Sequence, residues 1–417
     1  MPAKHASGTG AGAPSRIGLA LAGGGPVGAV YEIGALRALE EALDGVALND
    51  LDIYVGVSAG ALVAACLANG LTAAELCRAI VSEHSERVLF DPAKFYSPAF
   101  RELRRRLTMV PGLLLGGLWD YLRQRDNYSA FEPILRLARA LPAGVFETRP
   151  VGEFLHKLFT RAGRSDDFRQ LERRLIVVAA ELDTGKPVLF GGPGLDQVPI
   201  SKAVEASAAL PGLYPPVEID GHFYVDGILR KTMHASVALE AGLDLLLAIN
   251  PIVPVDVSRA RDASETRLGM LADRGLTAVM GQTLRTLIRS RMEVGMKTYE
   301  AQFPQTFLLL IEPRRDDLRM FFTNIFSFSE RKAVCEHGYQ RTRAHLREHG
   351  AELAPKLAAR GVRLRMDVLD DPERTPWKAV RETTARGTKR RTAEPGLELV
   401  NRLDGVLDRL EELLLAG

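Results

Sequence analysis

The chain has 417 residues, 46% hydrophobic and 25% charged, a balance that fits a globular protein larger than one ordinary core. A formal net charge of +2 implies no strongly polyanionic partner such as nucleic acid, and no zinc-finger or RNA-recognition pattern is present. Three cysteines, Cys66, Cys77 and Cys335, are too few and too scattered for a disulfide framework or a metal cage. A reducing, cytoplasmic setting is therefore expected.

Residues 1–16, rich in Ala, Gly, Ser and Pro, read as a disordered tail. Residues 17–22 read as a buried parallel strand, followed at once by Gly23-Gly24-Gly25-Pro26-Val27-Gly28. The apolar run from Ile17 to Val30 mimics a signal-peptide core, but three glycines and Pro26 interrupt it. No run reaches the ~18 apolar residues of a membrane span. Val30, Ile33, Leu36, Leu39 and Leu43 then recur at helical spacing up to Asp44-Gly45. Residues 51–55 read as a second strand, Gly56-Val57-Ser58-Ala59-Gly60 as a sharp turn, and residues 61–68 as a buried helix. This alternation predicts a parallel α/β sheet with two loops at one carboxyl edge.

Between Glu83 and Pro150 the pattern is less regular. Arg101, Arg104, Arg105 and Arg106 precede an apolar stretch that ends at Trp119, which predicts either a packed helical insertion or an interfacial segment. A helix from about Ser129 to Pro142 follows. Residues 175–180 and 187–190 read as paired strands, and Ser201 as the cap of a short helix that ends before Pro211. Asp220-Gly221 between residues 217–219 and 222–225 is a hairpin signal, because Asp-Gly supplies positive φ angles. Residues 243–249 and 307–311 read as two more buried strands, with a helical stripe from Leu276 to Met296 between them. That stripe predicts core, or the lining of an acyl groove. Met320 to Phe328 form an aromatic cluster ahead of a helix over 329–349, and 362–369 read as a last strand or extended segment. Residues 371–396 read as a charged linker and 397–417 as an amphipathic helix.

Two loops carry the chemistry. A serine between glycines at a strand-to-helix turn is a nucleophile-elbow pattern; the competing reading is a tight turn with Ser58 as helix cap. The glycine loop fits a dinucleotide fingerprint, a purely structural turn, or an oxyanion hole of unobstructed backbone N–H groups. The dinucleotide reading needs an acid at the end of the second strand, where Gly56-Val57-Ser58 stands instead. Asp226-Gly227 closes the predicted hairpin, where a sheet presents a catalytic group; a turn aspartate bonding its own backbone is the alternative.

Four ordered blocks resemble those of the patatin-like phospholipases: Gly23 to Gly28, Gly56 to Gly60, Ala206 to Pro216, and Tyr224 to Gly227. The resemblance spans about Ile17 to Ile252 and extends to Pro313 if the closing strands are included. It implies a three-layer α/β/α sandwich with a mostly parallel sheet over 17–313; residues 314–370, outside the resemblance, read as a mixed, mainly helical extension. It further implies a lipid acyl hydrolase with a Ser–Asp dyad and neither metal nor cofactor. By match, Ser58 would be the nucleophile, Asp226 the proton acceptor, and the N–H groups of Gly23, Gly24 and Gly25 the oxyanion hole. Gly28, Gly56, Gly60 and Gly227 are the motif glycines. The partner would be a lipid or acyl ester, met at a peripheral membrane or lipid-granule surface.

Two positions depart from the pattern. Val27 stands where the family usually carries Arg or Lys, and Ile228 where it carries a small residue. Three rivals remain: a Ser–His–Asp hydrolase using His234 or His337, a catalytically weakened lipid-binding relative, and a nucleotide-dependent oxidoreductase.

Overall fold

The computed structural model describes residues 15–81, 97–123, 142–256, 271–315, 317, 320 and 328–377. The chain divides into two units, Met1–Thr375 and Pro376–Gly417, and the elements described here lie in the first. The predicted tail up to Pro14, the helix from Ser129, most of the aromatic cluster, most of the linker and the C-terminal helix lie outside the described residues.

Five strands form the parallel heart of the sheet: β1 (Ile17–Leu21), β3 (Ile53–Val57), β4 (Arg174–Glu181), β8 (Leu245–Ile249) and β9 (Phe307–Ile311). Their apolar runs are continuous because helices cover both faces. Three antiparallel strands complete it: β5 (Pro187–Phe190), β6 (Val217–Ile219) and β7 (His222–Asp226). The path is β6-β7-β4-β3-β1-β8-β9, with β5 also pairing β4. Asp220 (φ 50°) and Gly221 (φ 80°) make the tight turn between β6 and β7, as their sequence predicts.

The first helix, α1 (Gly25–Ala42), starts with Pro26 in its first turn, where a missing N–H costs nothing. It continues into β2 (Leu43–Asp44), then β3 and α2 (Ala59–Ala68). The helices α3 (Ala73–Val81), α4 (Phe100–Arg123) and α5 (Arg149–Phe159) precede β4, and α6 (Ile200–Ser207) follows β5. A short α7 (Ala235–Leu239) precedes β8, and α8 (Gly275–Gln302) lies between β8 and β9. The chain then forms α9 (Phe328–Glu348), α10 (Gly350–Ala358), β10 (Arg363–Leu364) and α11 (Met366–Leu369). The segment read as a final strand is thus two residues of strand, paired to β2, and one turn of helix.

One face of the sheet is covered by α7 and α8: Ala20, Val55, Val57, Ile176, Val178 and Leu246 pack with Ala238, Leu239, Ile288 and Met292. On the other face α1 packs against α2, α3 and α9. Gly34 meets the Cys335 carbonyl and Gly338 meets the Tyr31 backbone, so two glycines let α1 and α9 touch closely. The three-layer α/β/α sandwich is the architecture expected, and α9 belongs to one of its layers. The stripe on α8 is split. Ile288 and Met292 are buried, whereas Val279, Met280 and Leu287 face outward.

Candidate active site

The site is built on one edge of β4. There β3 runs alongside until Val57, which pairs with Val178. One position further on, Ala179 pairs with Asp226 at the end of β7. Because β5 already occupies the opposite edge over Val177 to Ala180, β3 and β7 must share the same edge, end to end. The residue after Val57 and the last residue of β7 therefore meet. They are Ser58 and Asp226.

Ser58 sits at φ 54° and ψ −123°, a strained conformation for any residue but glycine. Its side chain makes no capping bond to α2, so the simple helix-cap reading does not describe it. The strain is imposed by close packing on both sides. A Cβ on Gly56 would strike the Ala61 backbone, and one on Gly60 would strike the carbonyls of Leu21 and Ala22. The start of α2 is thereby pressed against the end of β1, beside the glycine loop. Gly227 is constrained likewise, since a Cβ there would meet the Val178 carbonyl.

Ser58 is held by a residue outside the elbow. Its N–H donates to Ser207 Oγ at 2.7 Å, and Ser207 Oγ donates to the Val178 carbonyl at 2.6 Å. In the sequence Ser207 is one position of the block from Ala206 to Pro216, with no role of its own. A serine at the end of an alanine-rich helix carries no signal of its own.

Asp226 is almost fully buried. Burial pushes its carboxyl up to about 7, even though hydrogen bonding from the Ser58 hydroxyl and the Ile228 N–H pulls it down. The Ile228 N–H donates to Asp226 Oδ1 at 2.9 Å, so the turn-aspartate reading is realised together with the contact to serine. The Asp226 N–H is fixed on the Ala209 carbonyl at 3.0 Å.

The glycine loop lies beside Ser58. A Cβ on Gly23 would stand 3.0 Å from Ser58 Cβ and 2.8 Å from Ile228 Cδ1. On its other side Pro251 closes in, 2.6 Å from a Cβ placed on Gly24 and 3.0 Å from one on Gly28. The Gly23 N–H donates to the Thr232 carbonyl at 3.4 Å. Among the described residues no acceptor takes the N–H of Gly24 or Gly25, which stand at the N-terminus of α1. Val27 is half-buried in the first turn.

Neither candidate histidine joins the pair. His234 is buried with its Nε2 3.3 Å from the Gly227 carbonyl, and burial lowers it to about 4. His337 contacts Asp317 and lies against the Tyr31 ring. Among the described residues there is no group of three His, Cys, Asp or Glu side chains that could hold a metal ion.

The fold is an α/β/α sandwich that brings a serine and an aspartate together at one edge of β4. The family model described as patatin-like phospholipase matches residues 19–239, more than half of the chain, and the chain belongs to that family. It is a lipid ester hydrolase. Two solved structures are similar. VipD from Legionella pneumophila is 16% identical, with a TM-score of 0.35, over 81% of this chain and 68% of that one. The type III effector protein ExoU is 16% identical, with a TM-score of 0.33, over 96% of this chain and 64% of that one. The chain thus spans about two thirds of each of those proteins.

Proposed function

We propose that the protein cleaves carboxylic esters of lipids through Ser58 as nucleophile and Asp226 as proton acceptor. The observation that carries this reading is the shared edge of β4, which sets the strained Ser58 against the buried Asp226.

A serine hydroxyl must lose its proton as it attacks. Asp226 accepts that proton while Ser58 Oγ bonds to the ester carbonyl carbon. The carbonyl oxygen becomes an oxyanion beside the glycine loop, where Gly24 and Gly25 offer N–H donors and the start of α1 adds its dipole. One such donor is typically worth ~3 kcal/mol. Gly23 supplies narrowness, since its own N–H is engaged by Thr232. The tetrahedral intermediate collapses, the alcohol leaves with the proton held by Asp226, and an acyl-serine remains. Water then attacks the acyl carbon as Asp226 takes its proton, and Asp226 returns that proton to Ser58 Oγ as the acyl–oxygen bond breaks and the fatty acid leaves. Val27 adds no charge at the start of α1. A base near 7 is matched to work at neutral pH.

The substrate would be met at a membrane or lipid-granule surface. Among the described residues no helix is long and apolar enough to cross a membrane. The test is a panel of defined lipids incubated with wild type and with Ser58→Ala, reading released fatty acid by mass spectrometry. Release by wild type alone supports the reading. Equal release by both overturns it.

A further inference from the structure

The sheet reverses its winding between β1 and β8. The chain leaves β1 through α1 on one face and returns in β3, and it leaves β8 through α8 on the other face and returns in β9. An open parallel sheet holds its ligand in the crevice at the carboxyl ends of two such strands. The glycine loop follows β1 there, and Asn250-Pro251 follows β8. Ala22 N–H donates to the Ile249 carbonyl at 3.0 Å, so the two strands end side by side.

Asn250 is fully buried at the end of an apolar run, where a polar side chain is costly unless it is bonded. Its Oδ1 accepts the Ile252 N–H at 3.1 Å. Its Nδ2 donates to the Ile252 carbonyl at 3.0 Å and to Glu312 Oε1 at 2.7 Å, and lies 3.2 Å from Met292 Sδ. The amide thus grips both backbone groups of Ile252 and closes the turn around Pro251. Pro251 faces the glycine loop, its Cγ 2.6 Å from a Cβ placed on Gly24 and 3.0 Å from one on Gly28. Glu312, the residue after β9, is held in its turn: Arg289 Nη1 donates to its Oε2 at 2.7 Å, and Arg289 Nε to Glu293 Oε1 at 2.8 Å. An ion pair on α8 is thereby linked to the glycine loop through one buried amide and one proline.

We infer that Asn250 is a positioning residue for the oxyanion hole. It holds Pro251 against Gly24 and Gly28, and Glu312 with Arg289 fixes the direction of its amide. The inference rests on the lipid acyl hydrolase reading and names what aims the backbone donors of that site. Glycines restrain their own backbone least, so a glycine loop needs walls outside itself to hold its N–H groups in one direction. Ile228 is the wall beside Ser58, and Pro251 is the opposite one. Donors fixed in advance stabilise an oxyanion because they need not reorient as it forms. Asn250 acts through Pro251 and not on the ester itself. A residue that only stabilised the core would change how much protein is folded and leave the chemistry of the folded molecules alone.

The test uses the full chain, at a temperature where circular dichroism shows the variants folded, with a soluble short-chain ester and a trifluoromethyl ketone of the same acyl chain. Serine adds to such a ketone: the Oγ–carbon bond forms, the proton passes to Asp226, and the carbonyl oxygen becomes an oxyanion. The inhibition constant therefore reads the hole. Asn250→Asp keeps the size and the acceptor for the Ile252 N–H but sets a carboxylate against Glu312. It should lower kcat about 10²-fold, the cost of a misplacement of about 1 Å. KM should change little, and the inhibition constant should rise by the same factor as kcat falls. Adding Glu312→Gln puts a donor opposite the new carboxylate, and the double variant should recover most of kcat. Glu312→Gln alone should lower kcat by a smaller factor; this residue is only partly buried, so its variant reports even where Asn250→Asp does not fold. Wild-type kcat and inhibition constant in Glu312→Gln, or in folded Asn250→Asp, overturn the inference. So does a double variant no better than Asn250→Asp. Ser58→Ala keeps the two readings apart. Hydrolysis that persists there defeats the catalytic assignment, whereas hydrolysis lost there and untouched by Asn250→Asp defeats the positioning role alone.

Discussion

The N–H of Ser58 is held by Ser207 Oγ, which in turn donates to the Val178 carbonyl on β4. The end of α6 is thereby tied to the elbow and to the strand beside it. Ser207→Ala removes the acceptor of one buried N–H and the donor to one buried carbonyl. Leaving such groups unsatisfied destabilises by about 1–3 kcal/mol. Chemical denaturation should show that loss, and kcat on a soluble ester should fall with little change in KM, because the elbow and not the substrate contact is disturbed.

The pH–rate profile should reflect Asp226. The carboxyl must be ionised to accept a proton, and its pKa is raised to about 7, chiefly by burial. The kcat/KM for a neutral ester should therefore rise with pH and reach half its maximum near that value. Asp226→Asn should lower kcat by about 10²–10⁴-fold, the usual contribution of a general base.

The same group should oppose stability. A carboxyl whose folded pKa is raised favours the folded state only in its protonated form. Its favourable effect is complete below the unfolded value of about 3.9 and is lost as pH rises through the folded value of about 7. The difference amounts to roughly 4 kcal/mol at pH 8. Asp226→Asn should thus be more stable than wild type by up to that amount at pH 8 and should match it at pH 3, as read by urea denaturation.

Two glycines of the loop should respond differently to alanine. Gly25 has φ 60° and open space around a Cβ, so Gly25→Ala meets backbone strain of about 1–2 kcal/mol and no collision. Gly24→Ala would collide with Pro251 and Gly28, so the loop must shift and carry its N–H donors away. Losing one such donor lowers kcat by about 10²–10³-fold. Comparing kcat for the two variants, the larger loss should fall on Gly24→Ala.

Much of this was legible in the residues. The runs at β1, β8 and β9 are apolar throughout because both faces of the sheet are covered, and Asp220-Gly221 announces the turn that delivers Asp226. Boundaries were less clear. Gly56 and Val57 belong to β3 and not to the turn, since pairing with β4 overrides their turn-like composition. Pro111 and Gly112 obscured the length of α4, which runs through both. Contacts between distant segments carry no local signal at all. Ser207 and Thr232 lie 149 and 209 positions beyond Ser58 and Gly23, and only the folded sheet brings them together.

Both histidine variants provide a control. His337 is bonded to Asp317 on the α9 side, and His234 to the backbone of Gly227. His337→Ala should retain esterase activity. His234→Ala should lower thermal stability yet leave the pH–rate midpoint in place. A histidine that served as the base would abolish activity when removed.

Ser58 as nucleophile is tested most directly by labelling with a fluorophosphonate, followed by peptide mapping in a mass spectrometer. A Ser58 nucleophile served by Asp226 should give a single adduct on Ser58, none in Ser58→Ala, and much slower labelling in Asp226→Asn. An adduct on another residue, or ester hydrolysis that persists in Ser58→Ala, would contradict it.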